Sequence, residues 1–105
     1  MTDKRLVLTT CSSAEEAQRI AQELVERRLA ACVNIIPHVG SVYRWKDEIQ
    51  NAPEWLLLIK TTAAAFERLR DALRASHSYD LPECIAIAIE YGSAAYLDWI
   101  AGSVR

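Results

Sequence analysis

The stretch Cys84-Ile85-Ala86-Ile87-Ala88-Ile89 alternates with a period of two, yet neither face of the alternation is polar. Successive side chains of a strand point to opposite faces, so isoleucine lines one face and cysteine or alanine the other. Glu54-Trp55-Leu56-Leu57-Leu58-Ile59-Lys60-Thr61 is likewise apolar on both sides between its charged ends. Strands of this kind need cover on both faces. The helices between the strands can cover only one face of such a sheet. The other face must therefore meet a terminal helix or another subunit, because a large apolar patch left in water is unusual for a monomer.

The remaining pattern supplies the order of elements. Leu6-Val7-Leu8-Thr9-Thr10 reads as a buried strand. Ser12 and Ser13 stand three residues ahead of Glu15 and Glu16, so either pair can form a capping box. Ala17, Ile20, Ala21 and Leu24 then recur at helical spacing, and this helix is expected to reach about Arg28. Cys32-Val33-Asn34-Ile35-Ile36 is extended, Pro37 and Gly40 predict a bend or bulge, and Ser41-Val42-Tyr43-Arg44-Trp45 resumes the strand. Lys46-Asp47-Glu48-Ile49-Gln50-Asn51 is a polar connection suited to a hairpin. A second helix is expected from near Thr62, with Phe66, Leu69 and Leu73 on its buried side, and Pro82 forbids its extension. A last helix is expected over residues 93–101, with Tyr96, Trp99 and Ile100 on one side and Gly102 at its end. The order is β-α-β-β-α-β plus a terminal helix: an α+β, ferredoxin-like split β-α-β sandwich, with residues 1–105 forming a single domain.

The totals exclude some partners. The formal net charge is −2 and the basic residues alternate with acidic ones, so no basic surface favours nucleic acid. No apolar run approaches the roughly 20 residues needed to cross a bilayer. Cys11, Cys32 and Cys84 are far apart and lack any CxxC spacing, which fits neither a disulfide framework nor a zinc finger. A cytoplasmic location without a signal peptide is the expectation.

His77 is the first residue with chemistry to offer. Imidazole is a common metal ligand and acid–base group. At the end of the second helix a histidine also serves the exposed carbonyls. Cys11 sits just ahead of the first helix, where a helix N-terminus favours the thiolate, and its other reading is packing. Cys32 and Cys84 read as core. Trp45, Tyr43 and Trp55 read as core or subunit contact. Lys60, ending an apolar strand, reads as an anion binder or ion-pair partner. No Ser-His-Asp or Cys-His assignment follows from the spacing, so no catalytic residue and no organic cofactor are expected.

Several motifs together resemble the CutA divalent-cation tolerance family. They are Arg28-Leu29-Ala30-Ala31-Cys32-Val33-Asn34, Tyr43-Arg44-Trp45 with Glu48, Glu54, and Ile59-Lys60-Thr61. His77-Ser78-Tyr79-Asp80-Leu81-Pro82-Glu83 and Tyr96-Leu97-Asp98-Trp99-Ile100 complete the set. The resemblance implies a cytoplasmic homotrimer similar to the PII signalling proteins, involved in tolerance of copper and other divalent metals. It also implies an intersubunit cleft, with Trp45, Glu54, Lys60, His77, Tyr79 and Glu83 at the matching positions. Family members that bind copper do so through a first-strand cysteine and two adjacent histidines ahead of Pro-Tyr. Here Thr9 takes the cysteine's place, with Cys11 nearby, and Ser76-His77-Ser78 replaces the pair and the proline. The expected metal residues are therefore His77, Cys11 and Glu83, for copper or zinc. A small anion held at Lys60 in the cleft, by a signalling protein or an enzyme, is the other expectation.

Overall fold

The computed structural model describes residues 2–105. The elements follow the expected order: β1 (Lys4–Cys11), α1 (Ala14–Glu26), β2 (Cys32–Trp45), β3 (Glu48–Thr62), α2 (Phe66–Ser76), β4 (Ile85–Ala88) and α3 (Ala94–Ser103). The four strands form one antiparallel sheet in the order β2-β3-β1-β4. This is the ferredoxin-like topology, with β3 and β1 central and the wholly apolar β4 at an edge.

Register explains where the core lies. Val7 pairs with Ile59, Thr9 with Leu57 and Cys11 with Trp55. Paired residues share a face, and this face takes α1 and α2. Ala17, Ile20, Ala21 and Leu24 of α1 meet Leu69 and Leu73 of α2 over Val7, Leu57 and Ile59 in one buried cluster. Full burial of each large aliphatic side chain contributes about 1.5–3 kcal/mol, so this layer holds the helices to the sheet.

The even-numbered residues of β1 and β3 face the other way. Leu8 pairs with Leu58 and Ile85, Leu6 with Ile87, and Leu56 with both Thr10 and Ile36. In the single chain Ile36, Ile85 and Ile87 are 41%, 52% and 48% exposed. The α3 helix packs against β1 and β3, and its Tyr96 meets Cys32, the partner of Lys60 in the ladder. It therefore covers only one end of this face. The β4 strand, expected to be buried on both sides, is exposed throughout, because it is a short edge strand beyond the reach of the helices. Cys32 is half-buried beside Lys60 rather than in the core, whereas Cys84 does pack against the core.

Several boundaries differ from expectation for local reasons. The α1 helix stops at Glu26 because Arg28 turns left-handed at φ 57 and the amides of Leu29 and Ala30 both donate back to Leu24 O. The α2 helix starts at Phe66, since the Thr62 hydroxyl accepts from the Ala65 amide and holds a preceding turn. Gly102 lies inside α3, one residue before its end. The expected bulge falls between Ile36 and Val39, with His38 at φ 56. The hairpin connection is shorter than expected: residues 48–51 join β3, leaving Lys46 and Asp47 as the turn, at φ 50 and 66.

Two consecutive positive φ angles are what a type I′ turn requires, and Asn-Gly meets that need with less strain than Lys-Asp. Replacing Lys46→Asn and Asp47→Gly together should stabilise the fold by about 0.5–1 kcal/mol. An unchanged or lower urea midpoint would contradict this reading of the turn.

Candidate functional site

The site forms where the connection after α2 passes the C-terminal end of β1. His77 closes α2: its amide donates to Leu73 O at 2.9 Å, and its backbone turns extended. The ring then reaches β1, with Nε2 2.7 Å from Thr10 O and 3.9 Å from Cys11 Sγ. A carbonyl can only accept, so Nε2 carries the hydrogen. Nδ1 is then the acceptor for the Tyr79 amide at 3.1 Å. Both ring nitrogens are engaged, and the imidazole fastens the α2–β4 connection to the end of β1.

Glu16 joins from the first turn of α1. Ser13 caps that helix, its hydroxyl accepting from the Glu16 amide at 3.1 Å, so the second of the two expected capping pairs is the one used. The Glu16 carboxylate leans on the same connection: Oε2 accepts from the Ser78 amide at 2.8 Å, and Arg19 stands 3.7 Å away. Oε1 is buried without a partner. Ligand atoms of Cys11, Glu16 and His77 all lie within 4.8 Å of one another.

The electrostatics are those of a buried cluster. Burial, with the Glu16 carboxylate next in effect, pushes the Cys11 thiol up to about 12. Of the two readings of Cys11 the structure shows packing: the residue lies fully buried on the core face of β1, where desolvation outweighs the helix. For Glu16, burial acts upward, but the Ser78 hydrogen bonds and nearby His77 outweigh it and hold the carboxyl below its ordinary 4.5.

On the opposite face lies an open cleft of about 770 Å³, lined by the β2 arm, Thr10 and the connection between α2 and β4. Its walls include Trp45, Tyr43, Glu54, Tyr79 and Glu83. Glu54 is only 5% exposed, and the Tyr79 hydroxyl donates to its Oε2 at 2.6 Å. Burial, followed by that carboxylate, raises the Tyr79 phenol. Tyr79 also packs on the His77 ring at a centroid distance of 4.8 Å, so it joins cluster and cleft.

The sequence-derived residues therefore separate into groups. Cys11 and His77 come together, with Glu16 as the third member in place of Glu83. Glu83 lines the cleft with Trp45, Glu54 and Tyr79. Lys60 is apart from them within the chain: it lies six residues along β3 from Glu54, about 20 Å at strand rise, and its ammonium donates to Asn34 Oδ1. Among the described residues of this single chain no lysine or arginine lines the cleft. Glu16 escaped the sequence reading because its spacing from Ser13 marked it as a cap residue, a role its carboxylate exceeds by crossing to Ser78.

The depressed Glu16 value has a definite sign. The carboxylate's contribution is complete above its ordinary 4.5 and is lost as pH falls through the lower folded value. Glu16→Gln should cost about 1.5 kcal/mol at neutral pH and flatten the acid side of the stability profile measured by urea unfolding. A variant with the wild-type acid slope would show that the carboxylate does not bear on the fold.

Comparison with known proteins adds a separate line of evidence. The family described as CutA1 divalent ion tolerance protein matches residues 5–103. The divalent-cation tolerance protein CutA of Thermus thermophilus is 48% identical over 97 residues, covering 92% of this chain and 94% of that one. Human protein CutA is 43% identical over 91 residues, 87% of this chain but 51% of the human protein. The Thermus thermophilus CutA1 structure superposes with a TM-score of 0.95 at 46% identity, over 97% of this chain and 99% of that one. The Archaeoglobus fulgidus structure, described as periplasmic divalent cation tolerance protein CutA, gives 0.94 at 42% identity, over 97% and 99%. Motifs, topology and similarity along almost the whole length agree, and the chain belongs to the CutA1 divalent ion tolerance family.

Proposed function

We propose that this chain serves divalent-cation tolerance as a cytoplasmic homotrimer that holds a copper or zinc ion at Cys11, Glu16 and His77. The observation that carries the reading is the convergence of these three ligand types from three different elements. Thiol and imidazole suit borderline cations such as these. The unpartnered Oε1 of Glu16 supports the fit, since a buried carboxylate oxygen without a donor gains most from a cation. A bound divalent cation would supply positive charge where the chain now places a protonated thiol and the His77 Nε2 hydrogen. Those two protons are the obstacle. The Cys11 proton is held up to about 12, and the His77 hydrogen is engaged on Thr10 O. Occupancy must release the Cys11 proton and move the His77 hydrogen to Nδ1, displacing the Tyr79 amide there, so binding releases a proton and strengthens as pH rises.

Assembly as a trimer is supported by the half-covered sheet. Ile36, Ile85 and Ile87 lie on the face that α3 leaves open, and β4 presents a free edge. Three is the number implied by the family resemblance. Free Cys11, Cys32 and Cys84 support a reducing compartment.

Two measurements test these readings. Calorimetric titration with zinc, repeated with copper, should show saturable binding that weakens at least about tenfold in His77→Ala, the loss expected for one ligand. It should also weaken as pH is lowered, because binding must release the Cys11 proton. Affinity indifferent to His77 would remove the cluster from the reading. Native mass measurement should find three chains, and Ile87→Asp should yield monomers by placing a charge on the open face. A folded wild-type monomer at micromolar concentration would overturn the trimer.

A further inference from the structure

The neutral His77 ring carries one hydrogen, and Tyr79 bears on where it sits. The Tyr79 amide donates to Nδ1 at 3.1 Å, which leaves the hydrogen on Nε2, against Thr10 O at 2.7 Å. Nε2 is also the nitrogen nearest Cys11 Sγ, at 3.9 Å, so the hydrogen occupies the place a cation would take. With the hydrogen on Nδ1 instead, two donors would face each other there. We propose that Tyr79, anchored through its hydroxyl to Glu54, is a positioning residue that keeps His77 in the tautomer closed to a cation and so lowers the affinity of the cluster. The inference rests on the cation reading above and names a control on that site.

The contacts show which partner of the ring can yield. Thr10 belongs to a strand paired along its length with β3, so its carbonyl stays where the ladder puts it. Ser78 is pinned as well, its amide donating to Glu16 Oε2 at 2.8 Å. Tyr79 is the movable partner, and its hold comes from its side chain. The ring packs on the imidazole at a centroid distance of 4.8 Å, and the hydroxyl donates to Glu54 Oε2 at 2.6 Å. A short hydrogen bond from a hydroxyl to a carboxylate is among the stronger kinds. Glu54 is a firm anchor, because it sits on β3 opposite Val39, where pairing with β2 resumes after the bulge. All of these contacts are made within one chain, so none of them depends on a neighbouring copy. The coupling is reciprocal: a cation that moves the hydrogen to Nδ1 loosens Tyr79 from Glu54 by as much as that bond resists the cation.

The test uses the assembled full-length protein with Tyr79→Phe, which removes the hydroxyl alone, and Glu54→Gln, which leaves a neutral acceptor. In metal-free protein, nitrogen NMR of the imidazole should find the His77 hydrogen on Nε2 in the wild type. Tyr79→Phe should shift the population toward the Nδ1 form. A merely structural loss of one hydrogen bond would lower the urea midpoint without moving the tautomer. Calorimetry should show zinc binding at least about fivefold tighter in Tyr79→Phe, the lower end of an ordinary coupling between sites. Glu54→Gln should fall between that variant and the wild type, and it keeps the test informative if Tyr79→Phe fails to fold. An unchanged tautomer would overturn the proposal, and so would zinc affinity equal to or below that of the wild type. A wild type that takes no zinc would sink the cation reading alone, since the tautomer comparison is made without metal and still decides the role of Tyr79.

Discussion

The pairing of β1 with β3 governs this molecule. Eight consecutive residue pairs, from Lys4–Thr62 to Cys11–Trp55, set which side chain of each strand meets the helices. Because the period is two, choosing Val7, Thr9, Leu57 and Ile59 for the core commits Leu6, Leu8, Leu56 and Leu58 to the other side. Two helices satisfy the first set. A third covers only an end of the second, and the remaining isoleucines stand in water unless another chain meets them. A slip of one residue would exchange the two faces without removing the problem, since both are apolar.

The same alternation divides the chemistry. Cys11 lies on the helix side of β1, where Glu16 and His77 reach it. Thr10 lies on the other side and belongs to the cleft, although its carbonyl holds the His77 ring. The connection carrying His77 and Tyr79 passes the strand end, so adjacent residues serve opposite faces. Tyr79 spans the two places, with its amide on His77 and its hydroxyl on Glu54. His77 is thus both the fastening of the fold at this corner and the imidazole of the cluster with Cys11 and Glu16. Any ion that takes His77 Nε2 must release Thr10, and the segment that feels the change is the one that orients Tyr79.

Much of the architecture was legible along the chain. Ala17, Ile20, Ala21 and Leu24 marked the buried stripe of α1, Pro37 marked the bulge, and the β-α-β-β-α-β order named the topology. These signals are local, set by side-chain periodicity and by backbone restrictions at proline and glycine. The errors arose where a contact across the fold overrode a local preference. Arg28 ends α1 in a left-handed conformation that its residue type disfavours, while Arg105 donates to its carbonyl. The place of Cys11 before a helix left thiolate and packing both open, and its depth under that helix decides for packing by raising the thiol. Glu83 and Lys60 have suitable chemistry, yet strand rise and loop path put them away from the cluster.

By itself the sequence determined the element order, the helix-facing stripes and the need to cover a second sheet face, because these depend on periodicity and on total apolar surface. It also singled out His77, whose place at a helix end before Pro82 is local information. Tertiary structure alone decided that Glu16 rather than Glu83 joins Cys11 and His77, that both His77 nitrogens are engaged, and that Glu54 is buried against Tyr79. Those outcomes depend on distances between residues up to 67 positions apart in the chain, and residue spacing carries no such distance until the strands are in register.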